Sequence, residues 1–195
     1  MTSRRLSQAI SEGDGISVIV PVGDLESALA AEEQRAEGLI VWNSVPGLRE
    51  AVSLPLLWRA DGPLEEAQRS GADACLLIVE RHGDDDGLER VQAESAALGL
   101  ELVVDVRNAE ELEVALERID PEIFLLSPRD AEDGQAAHER VLELLTDVPA
   151  GKLAIADLAS VARAEVDELE RAGVDAVVVA AGNVTELVGA APPEV

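Results

Sequence analysis

The chain has 195 residues, enough for one domain with a sizeable core. Apolar residues make up 47% of it and aromatic residues 2%, which excludes a disordered acidic tail and requires a core of Val, Leu, Ile and Ala, as in parallel strands covered on both faces. With 15 basic and 40 acidic residues, the formal net charge of −25 argues against nucleic acid and anionic membranes as partners.

After a lead-in over 1–14, short apolar runs bounded by Gly, Pro, Asp or Asn recur at 16–22, 39–42, 54–58, 74–79, 102–106, 123–126, 153–156 and 176–179. Each reads as a buried strand. Helical patterns lie between them. The first covers 25–36, with Asp24 as its N-cap. A short one is expected at 47–52, and a third at 63–70, opened by Pro63 and stopped by Gly71. Others follow at 88–98, 110–118, 135–145 and 161–172, the last with Ser160 as its expected cap. A stunted helix at 183–188 and a tail at 189–195 close the chain. The strings at 69–74 (Arg-Ser-Gly-Ala-Asp-Ala) and 171–176 (Arg-Ala-Gly-Val-Asp-Ala) repeat one helix-to-strand turn.

Alternating strands and helices imply parallel strands with right-handed crossovers. Eight units predict one compact (β/α)8 TIM barrel over 1–195. The alternative is an open doubly wound sheet, but no Gly-x-Gly-x-x-Gly follows any strand. The single cysteine, Cys75, sits in an apolar run and is expected to be buried. No apolar stretch approaches the roughly 18 residues of a membrane helix, and no signal-type block follows Arg4 and Arg5, so the cytoplasm is the expected location.

Several strings resemble indole-3-glycerol phosphate synthases. Residues 51–57 (Ala-Val-Ser-Leu-Pro-Leu-Leu) are similar to that family's entry to its third strand. Residues 71–79 resemble its fourth strand, 98–112 its fifth strand and helix, and 172–179 its eighth strand. Residues 7–13 before Ile16 look like its approach to the first strand, so the resemblance runs over about 6–188. It implies ring closure and decarboxylation of an anthranilate-derived ribulose phosphate, with no cofactor. That reaction needs a general acid for a carbonyl and then for a leaving hydroxyl, and cations for a carboxylate and a phosphate.

Carried over by resemblance, the family's site is much altered. Its first-strand Glu-x-Lys falls on Pro21 and Gly23. Its third-strand lysine falls on Arg59, a poor proton donor because guanidinium hardly deprotonates. Its fifth- and seventh-strand glutamates fall on Asp105 and Asp157, and its sixth-strand asparagine on Ser127, with Arg129 retained two residues on. The seryl phosphate loop falls on Leu158, Ala159 and Ser160, and the last turn on residues 180–183, including Gly182 and Asn183. The only lysine, Lys152, lies at the start of the seventh strand, the stability end of a barrel.

In a barrel, the strand ends would gather Asn43, Arg59, Asp105, Arg107, Ser127, Arg129 and Asp157. The arginines could hold a small anionic or phosphorylated molecule, with the two carboxylates as acid and base. Alternatively these residues are mutual ion pairs that tie strand ends together. Gly182 and Asn183 could take a phosphate or simply cap a helix. Trp42 and Trp58 could line an aromatic pocket or fill space left by short loops. His82 beside Asp84, Asp85 and Asp86 reads as a solvated loop more than a metal site. The functional expectation is a diverged synthase-type barrel with weak or lost activity. The alternatives are a non-catalytic barrel that binds an anion or a protein partner, and a different lyase or isomerase on the same scaffold. A deep pocket joining Arg59, Asp105, Arg129 and Asp157 would favour the enzyme. Whether the chain forms a homo-oligomer is left open.

Overall fold

The computed structural model describes residues 5–12, 15–59, 62–82, 86–128, 131, 133–158 and 162–180. Eight parallel strands close into a barrel in chain order: β1 Ser17–Pro21, β2 Gly38–Val41, β3 Leu56–Trp58, β4 Ala74–Ile78, β5 Glu101–Val106, β6 Ile123–Leu126, β7 Leu153–Asp157 and β8 Ala176–Val178. β8 pairs back onto β1, with Val177 opposite Val18. The described helices are α1 Leu6–Ser11, α2 Leu25–Glu33, α3 Leu48–Ala51, α4 Leu64–Arg69, α5 Val79–His82, α6 Gly87–Leu98, α7 Ala109–Arg118, α8 Gly134–Leu145 and α9 Arg163–Ala172. The expected TIM barrel is therefore present, and every apolar run read from the sequence is a strand.

Alternation along the strands divides the core into two layers, because successive side chains point to opposite faces. Ile19, Ile40, Leu57, Val103, Ile123, Leu125 and Ile155 fill the barrel interior. Val18, Val20, Leu39, Val41, Leu56, Cys75, Leu77, Val104 and Phe124 point outward and pack with helix residues such as Ala28, Leu88, Leu112 and Val166. Cys75 is fully buried in that outer layer, and burial pushes its thiol up to about 12.

Acidic residues just before three strands tie the N-terminal end of the barrel together. Asp73 Oδ2 accepts the Leu56 amide at 2.9 Å, and Asp175 Oδ2 accepts the Ala154 amide at 2.7 Å. Glu37 Oε2 accepts the Val18 amide at 3.1 Å. Each carboxylate hooks the start of the preceding strand, which is the structural meaning of the repeated Gly-x-Asp turn. Gly71 in that turn has φ +75°, the left-handed region that glycine enters without a Cβ clash.

Some expectations are corrected. The lead-in contains α1, whose Leu6 and Ile10 close the N-terminal end of the interior against Ile19. Helix α2 ends at Glu33, three residues early, because Arg35 turns left-handed at φ 68° and the Ala36 amide bonds back to the Ala31 carbonyl at 3.0 Å. The cap of α9 is Ala162 rather than Ser160, and Glu165, three residues on, accepts the Ala162 amide at 2.6 Å. The segment after β4, read as a loop, begins with α5. The helix expected at 183–188 lies outside the described residues.

Candidate active site

Period-two alternation decides which side chains reach the barrel mouth. Arg59 follows inward Leu57 by two residues, Asp105 follows Val103, Ser127 follows Leu125, and Asp157 follows Ile155. All four therefore stand one layer above the apolar interior, at the C-terminal face where barrels of this type do their chemistry. Arg59 is fixed at the backbone, its amide donating to the Val41 carbonyl at 2.9 Å.

The structure brings these four together. Arg59 Nη1 lies 2.7 Å from Asp157 Oδ2, and Arg59 Nη2 lies 4.0 Å from Asp105 Oδ2. Ser127 Oγ hydrogen-bonds Asp105 Oδ1. Asp105 is completely buried, Arg59 is 11% exposed and Asp157 20%. One cation is thus shared by two carboxylates, closely with Asp157 of β7 and at longer range with Asp105 of β5.

Arg107 does not join the cluster. Its Nη1 pairs with Glu80 Oε2 of α5 at 2.6 Å, and its Nε is buried without a partner among the described residues. Glu111 Oε2 accepts the Arg107 amide at 2.8 Å, while Asn108 Oδ1 accepts the Glu111 amide at 2.9 Å and caps α7. Burial pushes the Glu111 carboxyl above the usual carboxylate range, against the pull of the Arg107 amide and charge. The sequence places Glu80 beside His82 without pairing it to Arg107, and it does not single out Glu111. The Asn-x-x-Glu spacing at 108–111 is a capping signal that could have marked the second.

Asn43 is exposed beyond β2. Trp42, also at that end, is 41% exposed. Trp58 is 2% exposed and faces outward into the helix-covered layer, so it does not line the mouth. It follows Leu57 by one residue and so takes the opposite face. Lys152 sits at the far end, its Nζ 2.9 Å from Asp120 Oδ1. Among the described residues no three metal-ligating side chains cluster, and Asp84 and Asp85 lie outside them. Arg129, Ala159, Ser160, Gly182 and Asn183 also lie outside the described residues.

A cavity of about 450 Å³ reaches Arg59, but the described residues that line it include neither Asp105 nor Asp157. It runs instead toward α4, α5 and α6. The pocket that would join the clustered residues is therefore not this one.

The family model for indole-3-glycerol phosphate synthase matches residues 49–184. The chain belongs to the indole-3-glycerol phosphate synthase family. A curated indole-3-glycerol phosphate synthase from Acidithiobacillus ferrooxidans (strain ATCC 53993 / BNL-5-31) is 35% identical over 136 residues, which are 67% of this chain and 51% of that protein. The chain thus spans about half the length of that curated relative. Strands β1 and β2 precede the matched segment. The barrel itself is shared more widely. An N-acetylmannosamine-6-phosphate 2-epimerase from Clostridium perfringens superposes with a TM-score of 0.69 at 16% identity, over 84% of this chain and 86% of that one. A mutant tryptophan synthase alpha-subunit from Pyrococcus furiosus gives 0.64 at 16% identity, over 88% of each chain. At such identities the likeness concerns fold alone.

Proposed function

We propose that this family member is a synthase-type barrel whose turnover of the family substrate, an anthranilate-derived ribulose phosphate, is weak or lost. The observation that carries this reading is the Arg59–Asp157 contact of 2.7 Å, with Asp105 on the other arm of the same guanidinium. The reaction closes a ring, releases carbon dioxide and eliminates water, and it needs a proton delivered to a carbonyl oxygen and then to a leaving hydroxyl. Arg59 occupies the place of the family's third-strand lysine. A guanidinium can stabilise developing negative charge there, but it is a poor proton donor because it hardly deprotonates. Its two carboxylate partners also compete with any substrate anion for the same N–H groups. The only lysine of the chain, Lys152, is bound to Asp120 at the opposite end of the barrel.

Any residual chemistry falls to four residues. Arg59 would orient the substrate carbonyl, Asp157 and Asp105 would handle protons, and Ser127 would hold Asp105 in place through their hydrogen bond. Arg129, Gly182 and Asn183 are the proposed contacts for the substrate's anionic groups. The test is turnover of the carboxyphenylamino-deoxyribulose phosphate, followed by indole fluorescence, with the Acidithiobacillus relative as positive control. Turnover within about tenfold of that control would overturn the reading.

A further inference from the structure

The end of the barrel opposite the mouth has a cavity of its own, of about 330 Å³, where β5 and β6 begin. Small-molecule sites span about 300–1,000 Å³. Glu101 and Leu102 border it from the start of β5, Asp120, Glu122 and Ile123 from the entry to β6, and Arg5 from the residue that precedes α1. Two of its three carboxylates are already satisfied. Glu101 accepts the Ser7 amide at 3.2 Å and the Ser7 hydroxyl, which seats α1, and Asp120 Oδ1 pairs with Lys152 Nζ at 2.9 Å. Arg5 and Glu122 are both exposed, and neither side chain has an ion pair or hydrogen bond with a described residue. One guanidinium and one carboxylate thus border the same space without meeting. In a chain with 40 acidic and 15 basic residues, an arginine that pairs with none of three carboxylates lining its own cavity is not short of partners.

We propose that this cavity binds a free α-amino acid with an aliphatic side chain, its carboxylate on Arg5 and its ammonium on Glu122. The guanidinium fork matches a carboxylate, and an ammonium makes charge-assisted bonds to one. A zwitterion completes both groups at once. A simple anion would face Glu122 and a simple cation would face Arg5, each with a like charge nearby. Leu102 and Ile123, the latter 1% exposed, offer the apolar surface for the side chain. The N-terminal face of a barrel serves stability rather than catalysis, so the ligand is an effector and not a substrate. It bridges Arg5, at the root of α1, to the entry of β6, and so fastens the helix whose Leu6 and Ile10 close the interior. The site shares no residue with the mouth cluster of Arg59, Asp105, Ser127 and Asp157, and its occupancy is independent of the reaction proposed there.

L-Leucine is a suitable probe, with isocaproate and isoamylamine as analogues that each lack one of its charged groups. The wild-type melting temperature is expected to rise saturably with L-leucine and to stay unchanged with either analogue at the same concentrations. Arg5 and Glu122 are exposed, so Arg5→Gln and Glu122→Gln are expected to fold as wild type does, which circular dichroism checks. Each should raise the half-saturating concentration at least about tenfold, the loss of one charge-assisted contact. Ser127→Ala, in the mouth, should leave that concentration unchanged. The assignment is overturned by no rise in wild type, or by a rise that grows without saturating, as an excluded co-solute gives. It is equally overturned by the same rise with either analogue, or by a saturable rise that either glutamine variant leaves intact or Ser127→Ala abolishes.

Discussion

Arg59 Nη1 and Asp157 Oδ2 stand 2.7 Å apart, so the cation that ends β3 is held by the carboxylate that ends β7 across the barrel mouth. Fully buried Asp105 lies 4.0 Å from the same guanidinium. Removing the cation leaves two carboxylates without their shared partner in a poorly solvated place. Arg59→Ala is expected to destabilise the fold by roughly 3 kcal/mol, as breaking one side of a buried ion pair does. Arg59→Lys keeps the charge and should cost less. Urea unfolding measures both, and a loss for Arg59→Ala under about 1 kcal/mol would show that the clasp contributes little.

Arg59→Lys alone is expected to bring no gain in turnover, because in the proposed correspondence Pro21 and Gly23 replace the family's Glu-x-Lys. The backbone there accepts a side chain, since a Cβ on Gly23 would meet nothing within 4 Å. Restoring all three positions (Pro21→Glu, Gly23→Lys, Arg59→Lys) should raise turnover on the order of 100-fold over wild type, the scale of a positioned general acid. An equal gain from Arg59→Lys by itself would move the defect to that single residue.

Gly71 and Gly173 occupy equivalent turns of the sequence repeat but face different surroundings. A Cβ on Gly71, at φ +75°, would lie 2.7 Å from Arg49 Cγ. Arg49 is held to Asp73 at 3.0 Å and to the Val52 carbonyl at 2.6 Å, so it cannot retreat without losing both. Gly173, at φ +102°, has nothing within 4 Å. Alanine at either position carries a left-handed backbone cost of about 1–2 kcal/mol. Gly71→Ala is expected to lose more, and equal unfolding midpoints for the two variants would contradict the clash.

The Asp175 carboxyl is pushed above its ordinary range by burial, despite its bond from the Ala154 amide. Its folded pKa therefore exceeds its unfolded one, and the folded state keeps that proton longer as pH rises. The stability this group contributes is present below the unfolded value and is lost as pH rises through the folded value. Asp175→Asn retains an acceptor for Ala154 and removes the charge. It is expected to raise the urea midpoint at pH 7, with the gain shrinking toward pH 3. The same gain at both pH values, or a loss at pH 7, would refute this origin.

Cys75 lies in the outward layer of β4 with its thiol pushed up to about 12. Disulfide reagents attack the thiolate, so at pH 8 the folded protein should react only as fast as it opens, and unfolding in urea should release one reactive thiol. Rapid labelling of the native chain would show that β4 is accessible.

The barrel was legible because each strand is a short apolar run cut off by glycine, proline or a carboxylate, and because the period of two carries inward and outward faces without ambiguity. The same period makes the mouth legible: Arg59, Asp105, Ser127 and Asp157 each follow an inward apolar residue by two positions. What the sequence did not show was pairing. Arg107 has the same inward spacing after Asp105, yet Glu80 draws it away, and Glu80 belongs to a four-residue helix too short to leave a periodic signal. Trp58 looks like a mouth residue by chain position and is placed in the helix-covered layer by a shift of one. Helix α1 was hidden because only Leu6, Ala9 and Ile10 mark its apolar face.

Whether the reaction survives is measured by a steady-state assay of the purified chain on the carboxyphenylamino-deoxyribulose phosphate. The Acidithiobacillus relative serves as reference and circular dichroism confirms a folded barrel. kcat/KM is expected to lie at least about 100-fold below the reference, the scale of losing a positioned general acid. Turnover comparable to the reference would contradict it, and would mean that Arg59, clasped by Asp157, releases to serve the chemistry after all.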